Sequence, residues 1–317
     1  MDTHTTDTHR RYRLLLERAS ALPPLTTAVA HPCDESSLQA VVNATDFGFM
    51  VPLMVGPEAR IRSAAARAGL DIEALEIIDA PHSHGAAQRA VELVREGRAD
   101  ALMKGSLHSD ELLGAVVDRA AGLRTARRIS HCFILDVPSH PEPLMITDAA
   151  VNIAPTLEDK VHIVQNAIDL AIALGLAQPR VAILSAMETV NPKVPSTLEA
   201  AALCKMADRG QIVGGLLDGP LALDNAISLE AARMKGISSA VAGRADILVV
   251  PDLEAGNVLA KSLSFLAHAD AAGIVLGARV PIMLTSRADS VEARLASCAV
   301  AVLVHHARQS SLAKAVA

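Results

Sequence analysis

The chain has no tryptophan, one tyrosine and four phenylalanines in 317 residues, so it lacks the aromatic platforms on which single-stranded nucleic-acid sites stack bases. It has no excess of positive charge either. The formal net charge is −6, which argues against a polyanionic partner such as DNA and confines any anion site to a local cluster of basic residues. Four cysteines, Cys33, Cys132, Cys204 and Cys298, are scattered with no CxxC pair. That spacing suggests neither a disulfide framework nor a zinc knuckle and fits reduced thiols in a cytoplasmic protein. His131-Cys132 resembles a thiolate arrangement, but Cys132 opens an apolar strand and is expected to be buried and inert. His82-Ser-His84 and His305-His306 lack partners at metal-ligand spacing, so no metal is expected. No apolar run approaches the length that spans a bilayer, and the polar stretch Met1 to Arg10 lacks the pattern of a secretory leader. Also missing are G-x-G-x-x-G after a strand, G-x-x-x-x-G-K-[ST] and G-x-S-x-G. Nucleotide-dependent hydride transfer, ATP hydrolysis and a lipase-type triad therefore lack their usual devices.

Half of the residues are apolar, mostly Ala, Val, Leu and Ile, a composition suited to helices packed on buried parallel strands. The length favours two domains. Short β-rich runs alternate with amphipathic stretches, the pattern of parallel sheets with helical crossovers. Strands are expected at Thr27 to His31, Pro52 to Val55, Leu75 to Ile78, Ala99 to Met103, Cys132 to Val137, Leu144 to Thr147, Arg180 to Ser185, Ile212 to Leu217, Ile247 to Val250, Gly273 to Leu276 and Pro281 to Thr285. Thr156-Leu-Glu-Asp159 predicts a capping box for a helix that stops at Gly175. Pro195-Ser-Thr-Leu-Glu199 predicts another, for a helix ending near Gly210. Asp136-Val-Pro-Ser-His-Pro-Glu-Pro-Leu144 breaks the rhythm: three prolines between two strands predict an antiparallel hairpin and a domain crossing.

Four segments join reactive polar residues to strand ends. Pro281-Ile-Met-Leu-Thr-Ser-Arg-Ala-Asp-Ser290 brings a hydroxyl, a guanidinium and a carboxylate together within four residues: Ser286 to donate to an oxyanion, Arg287 to grip a phosphoryl group and Asp289 to take a proton. Ala101-Leu-Met-Lys-Gly-Ser-Leu-His-Ser109 ends a strand in Lys104, with a glycine that admits a ligand to the backbone and Ser109 as a pocket residue or a helix cap. Arg124-Thr-Ala-Arg-Arg-Ile-Ser-His131 carries three arginines before a strand, which fits a phosphate site or a solvated basic loop. Asp246 to Leu259 places Pro251, Asp252, Gly256 and Asn257 at the carboxyl end of a buried strand, where open α/β sheets bind ligands. Glycine and asparagine there cost helix stability.

Taken together these segments resemble the phosphate acetyltransferase and phosphate butyryltransferase family. The resemblance rests on Lys104 to Ser109, Arg128-Ile-Ser130, Ile146-Thr-Asp-Ala-Ala-Val-Asn152 with Pro155-Thr156, Leu217-Asp-Gly-Pro-Leu-Ala-Leu-Asp-Asn225, Pro251-Asp-Leu-Glu-Ala-Gly-Asn257 and Ser286-Arg287. It implies two αβα domains with mainly parallel sheets, of the isocitrate/isopropylmalate dehydrogenase-like type, with the active site in the interdomain cleft. The domains are expected at 1–138 together with 279–317, and at 139–278. The implied reaction is reversible transfer of a short acyl group between orthophosphate and coenzyme A, in a cytoplasmic homodimer with no permanently bound cofactor and coenzyme A as substrate. In that scheme Asp289 is the base, with Glu292 competing for the role. Ser286 bonds to the acyl oxygen or phosphate as charge develops, Arg287 and Arg128 clamp the phosphoryl oxygens, and Ser130, Lys104, Ser109 and Asn257 also bind substrate. Phe265 stands where the acetyl-specific members carry arginine, and the wording looks more like the butyryl branch. Two other readings remain open at this point: a metal-dependent decarboxylating dehydrogenase on a related fold, and a non-catalytic acyl-CoA or acyl-phosphate binding protein.

Overall fold

A computed structural model describes residues 10–285 and 289–316. In chain order the first elements are α1 (Arg10–Ser20), β1 (Leu25–Ala30), α2 (Glu35–Asp46), β2 (Met50–Gly56), α3 (Glu58–Ala68), β3 (Glu76–Asp79), α4 (Ser83–Arg95), β4 (Ala101–Lys104) and α5 (Ser109–Val117). Next come β5 (Ser130–Asp136), β6 (Leu144–Thr147), α6 (Leu157–Ala173), β7 (Arg180–Leu184), α7 (Pro195–Asp208), β8 (Leu216–Leu221), α8 (Leu223–Ile227), α9 (Leu229–Met234), β9 (Ile247–Val249) and α10 (Leu253–Leu266). The chain closes with β10 (Asp270–Leu276), β11 (Ile282–Met283) and α11 (Val291–Val316). Among the described residues no helix is long and apolar enough to cross a membrane.

Two compact units divide the chain, one formed by Met1–Thr125 with Ala272–Ala317 and the other by Ala126–Ala271. In unit one the strand order is β3-β2-β1-β4-β11-β10. All are parallel except β10, which runs antiparallel to β11. Ala30 stands beside Val55 on one side and Lys104 on the other, so the loops after β1, β2 and β4 leave from one edge. Helices α4 and α5 pack together, while α2 packs with α3 and α11, and α11 with α1.

Unit two orders its strands β5-β6-β9-β7-β8, with β5 antiparallel to β6 and the rest parallel. Helix α6 lies against β5, β6, β9 and α7, while α10 packs on β5 and β6 and α8 on β7 and α9. Each unit is thus an α/β sheet covered by helices, as buried, apolar parallel strands require. The expected proline hairpin forms between β5 and β6, but it lies inside unit two. The unit boundaries fall at 125/126 and 271/272, earlier than the expected 138/139 and 278/279. The reason is packing: Leu135, Val137, Leu144 and Ile146 all belong to the core cluster of unit two.

Two local expectations meet different outcomes. Thr156 accepts from the Asp159 N–H at 3.2 Å and the Asp159 carboxylate accepts from the Thr156 N–H at 3.0 Å, completing the capping box of α6. At α7 no such box forms, because the N-cap is Val194 and no side chain caps it. The Thr197 hydroxyl bonds instead to the Asn191 carbonyl, Ser196 meets the Ser185 hydroxyl at 2.8 Å, and Glu199 pairs with Lys160.

Candidate functional site

Unit two gathers polar groups where β6 and β9 end and β5 begins. Because β5 is antiparallel to β6, Ser130 and Arg128 share that edge with Asp148 and Asp252. The buried Asp148 carboxylate accepts the N–H groups of Ala150, Val151 and Asn152 and the Asn152 amide. Burial raises its pKa even against those four hydrogen bonds. Asn152 Nδ2 donates to Asp148 and to the Ile129 carbonyl, so its Oδ1 is turned to accept from Arg128 Nε. Arg128 NH1 also reaches Asp159 at 2.9 Å. Burial pushes the Asp159 carboxyl upward, but hydrogen bonds from Thr156 and the charge of Arg128 outweigh it and hold the pKa below the usual range. Half of the Arg128 side chain remains exposed, so its guanidinium is fixed at one face and open at the other.

Ser130 is 1% exposed. Its Oγ accepts from Asn166 Nδ2 at 2.9 Å, and the same amide donates to the Arg128 carbonyl. The Ser130 proton is left to donate. Asn257 Nδ2 donates to the Ala149 carbonyl at 3.2 Å. Beside it a Cβ at Gly256 would lie 2.9 Å from the Asp148 carbonyl and 2.8 Å from Val250 Cγ2, so only glycine lets α10 approach the 148–152 loop this closely. Arg128, Ser130 and Asn257 are therefore assembled around one loop. Arg127, by contrast, is paired with Asp169.

In unit one the corresponding edge holds Lys104, which is 5% exposed and donates to the Leu107 carbonyl at 3.2 Å. The following turn lies tight on β1: Gly105 N–H bonds to the Ala30 carbonyl and Ser106 N–H to the His31 carbonyl. A Cβ at Gly105 would meet both carbonyl oxygens at 2.5 and 2.6 Å. Ser106 donates its one proton to the His31 carbonyl at 2.9 Å and accepts from the Cys33 N–H. Its 3.3 Å contact with His31 Nδ1 must then be the ring N–H donating. That tautomer leaves the buried, unpartnered His31 Nε2 as an acceptor. Burial and the nearby Arg60 lower the His31 pKa against the opposing pull of Glu111, so the ring is neutral. Glu111 Oε2 and Thr285 Oγ1 are also buried without partners.

Ser109 is the first residue of α5 rather than its cap, which is His108, and it is exposed. Asp289 is half-buried, and its carbonyl accepts from Arg294 Nε at 3.4 Å. Glu292 is exposed in the first turn of α11. Ser286 and Arg287 lie outside the described residues. Cys132 is buried, as expected, and burial raises its thiol pKa. Burial likewise pushes Cys33 up to about 11 and Cys204 and Cys298 up to about 12. Sequence reasoning gave no role to Asn166 or His31, and it quoted Asp148 and Asn152 within a motif without assigning either a role. Asn166 carried a readable signal, a polar residue between Val164 and Ile168 on a buried helix.

An oriented guanidinium with a donating hydroxyl at one strand-end edge, and a buried ammonium at another, define an α/β protein that handles anionic groups and has the parts for group transfer. The family profile described as phosphate acetyl/butaryl transferase matches residues 82–302. The chain is 64% identical over 306 residues to a phosphate acetyltransferase of Rhizobium meliloti, covering 96% of this chain and 97% of the relative. It is 44% identical to a phosphate butyryltransferase of Clostridium acetobutylicum, covering 87% and 92%. Its structure matches that of a branched-chain phosphotransacylase from Enterococcus faecalis with a TM-score of 0.77 at 33% identity, covering 89% and 99%. The chain belongs to the phosphate acetyl/butyryltransferase family and is a transferase.

Proposed function

We propose that this chain reversibly transfers a short acyl group between acyl-coenzyme A and orthophosphate, giving acyl phosphate and free coenzyme A. The observation that carries the reading is the Asp148–Asn152–Arg128 chain of hydrogen bonds. A carboxylate that only accepts fixes the amide, and the amide aims a planar guanidinium, the geometry that suits bidentate capture of a phosphoryl group. Ser130 donates to a phosphoryl or acyl oxygen as charge develops, and Asn257 and Ser109 contribute binding. Lys104 supplies a fixed positive charge for the anionic substrates.

In the thiolysis direction, the coenzyme A sulfur attacks the acyl carbon and its proton passes to a carboxylate; Asp289 is the assigned base, ahead of the exposed Glu292. Ser286 hydrogen-bonds the acyl or phosphate oxygen as charge develops, while Arg287 and Arg128 clamp the phosphoryl oxygens. Phosphate then leaves with the electron pair of the broken C–O bond, and no covalent acyl-enzyme forms. Coenzyme A enters as a substrate and no cofactor is permanently bound. The family resemblance supports a homodimer as the working form, and the scattered cysteines support a cytoplasmic one.

The deciding experiment is phosphate-dependent release of free thiol from acetyl-, propionyl- and butyryl-coenzyme A. Turnover of at least one, lost in Ser286→Ala and strongly reduced in Asp289→Asn with substrate binding retained, is the expected result. Thiol release that ignores phosphate, or full turnover in both variants, refutes the assignment. The chain-length profile also fixes the acyl preference, since one methylene in an apolar pocket is worth only about 1–3 kcal/mol.

A further inference from the structure

All the unit-one groups described above lie at the carboxyl ends of its parallel strands. The opposite edge carries a second concentration of charge. There the last turn of α4, the turn after α5 and the connection from β10 to β11 border an open depression of about 440 Å³ whose lining includes Arg95, Arg119, Arg124 and Arg279. None of these four is ion-paired among the described residues. The acids in the same depression are committed elsewhere. Glu92 and Glu96 are held by Arg89 at 2.6 and 2.8 Å, and the Asp118 carboxylate accepts the N–H groups of Ala120 and Ala121. Those two bonds and the charge of Arg95 keep its pKa low.

The backbone that carries the arginines is closed rather than loose. Leu123 N–H bonds to the Val116 carbonyl at 2.8 Å, Arg279 N–H to the Leu123 carbonyl at 3.0 Å, and Thr125 Oγ1 to the Gly277 carbonyl at 2.6 Å. Arg124 and Ala278 form an antiparallel bridge. A Cβ at Gly122 would lie 2.4 Å from two carbonyl oxygens, so the turn closes only with glycine. The depression shares Glu92, Arg95 and Asp118 with a groove of about 670 Å³ between α4 and α5, walled by Gln88, Val91 and Ala115.

We propose that this edge is a binding site for a small organic molecule carrying two phosphoryl groups. Four guanidiniums gathered with no ion pair among the described residues, on a chain of net charge −6, repel one another until an anion fills the space between them. Each phosphoryl group takes two planar forks, and the adjoining groove receives the organic body. The site stands at the edge away from the strand carboxyl ends and does not rest on the acyl-transfer reading.

The test is calorimetric titration of pyrophosphate and of adenosine 3′,5′-bisphosphate into the full chain and into an Arg119→Gln/Arg279→Gln variant. The expected result is saturable binding of one probe at least by the wild type, weakened about tenfold or more in the variant, with an unchanged melting midpoint. An Arg95→Gln/Arg124→Gln variant should lose the same binding, which guards against a local folding defect in the first pair. Tighter binding of the adenosine bisphosphate assigns the site to the nucleotide end of coenzyme A; tighter binding of pyrophosphate assigns it to a free diphosphate ligand. Equal affinity of wild type and both variants for both probes, or no binding by the wild type, overturns the proposal.

Discussion

His131 is buried in β5 with its ring edge-on to Phe133 at 4.4 Å and its Nδ1 unpartnered. Burial lowers its pKa from 6.5 to about 4. The folded state therefore binds fewer protons than the unfolded chain between those values, so this contribution to stability is complete above about pH 6.5 and is lost as the pH falls towards 4. Its full size is roughly 3 kcal/mol. Urea unfolding from pH 7.5 to 4.5 should show a steeper loss of stability for the wild type than for His131→Phe, and parallel profiles would remove His131 as the cause. A second side chain is testable through its shape. Arg128→Lys keeps the charge but loses the Nε donor that Asn152 holds. The Michaelis constant for phosphate is expected to rise about tenfold, close to 1.4 kcal/mol, with little change in melting temperature. An unaltered phosphate dependence would show that the guanidinium geometry is irrelevant. The residue types at this edge were legible in the sequence, since Arg128, Ser130 and Asn257 are brought round one loop. The roles of the groups that aim them were not, because Asp148 acts through burial, and Asn152 and Asn166 through hydrogen bonds to residues far away in sequence, which spacing does not encode.

At the level of elements, every expected strand has a counterpart, because continuous apolar runs between helical stretches can be buried in few other ways. The largest shift is β8, expected from Ile212 and observed from Leu216. Gly214 has a φ of +88°, which ends any extended run before that point. Helix starts were less legible. Ser196 holds the place in the expected α7 box that Thr156 holds in α6, yet only Thr156 caps, since the Ser196 hydroxyl is engaged by Ser185. Thr156→Ala should therefore cost about 1 kcal/mol in chemical denaturation and loosen the start of α6, where Asp159 meets Arg128. Ser196→Ala should leave the start of α7 unaffected and lose only the contact with Ser185. Equal costs for capping in the two helices, measured by amide hydrogen exchange in their first turns, would contradict this difference.

The largest departure from the sequence reading concerns the whole molecule. Three prolines mark where the chain reverses between β5 and β6, and a reversal looks like a boundary when only punctuation is visible. Burial decides otherwise. The cluster running from Leu135 through Ile146, Ala182, Leu221 and Leu248 to Ala260 draws all its members from 126–271, and both sides of the hairpin contribute to it. A continuous segment with its own apolar core is the physical condition for independent folding. Unit one meets no such condition in one piece, since β11 and α11 are separated in sequence from the β4 and α2 against which they pack. A fragment of residues 126–271 is therefore expected to fold alone, with helical far-ultraviolet dichroism and one cooperative urea transition. A fragment of residues 1–125 is expected to stay unfolded until residues 272–317 are supplied, because without them β4 lacks its β11 neighbour and α2 loses the cover of α11. The outcome that would defeat this argument is a non-cooperative 126–271 fragment beside a cooperatively folded 1–125, which would mean that the proline hairpin, and not the shared core, sets the folding units.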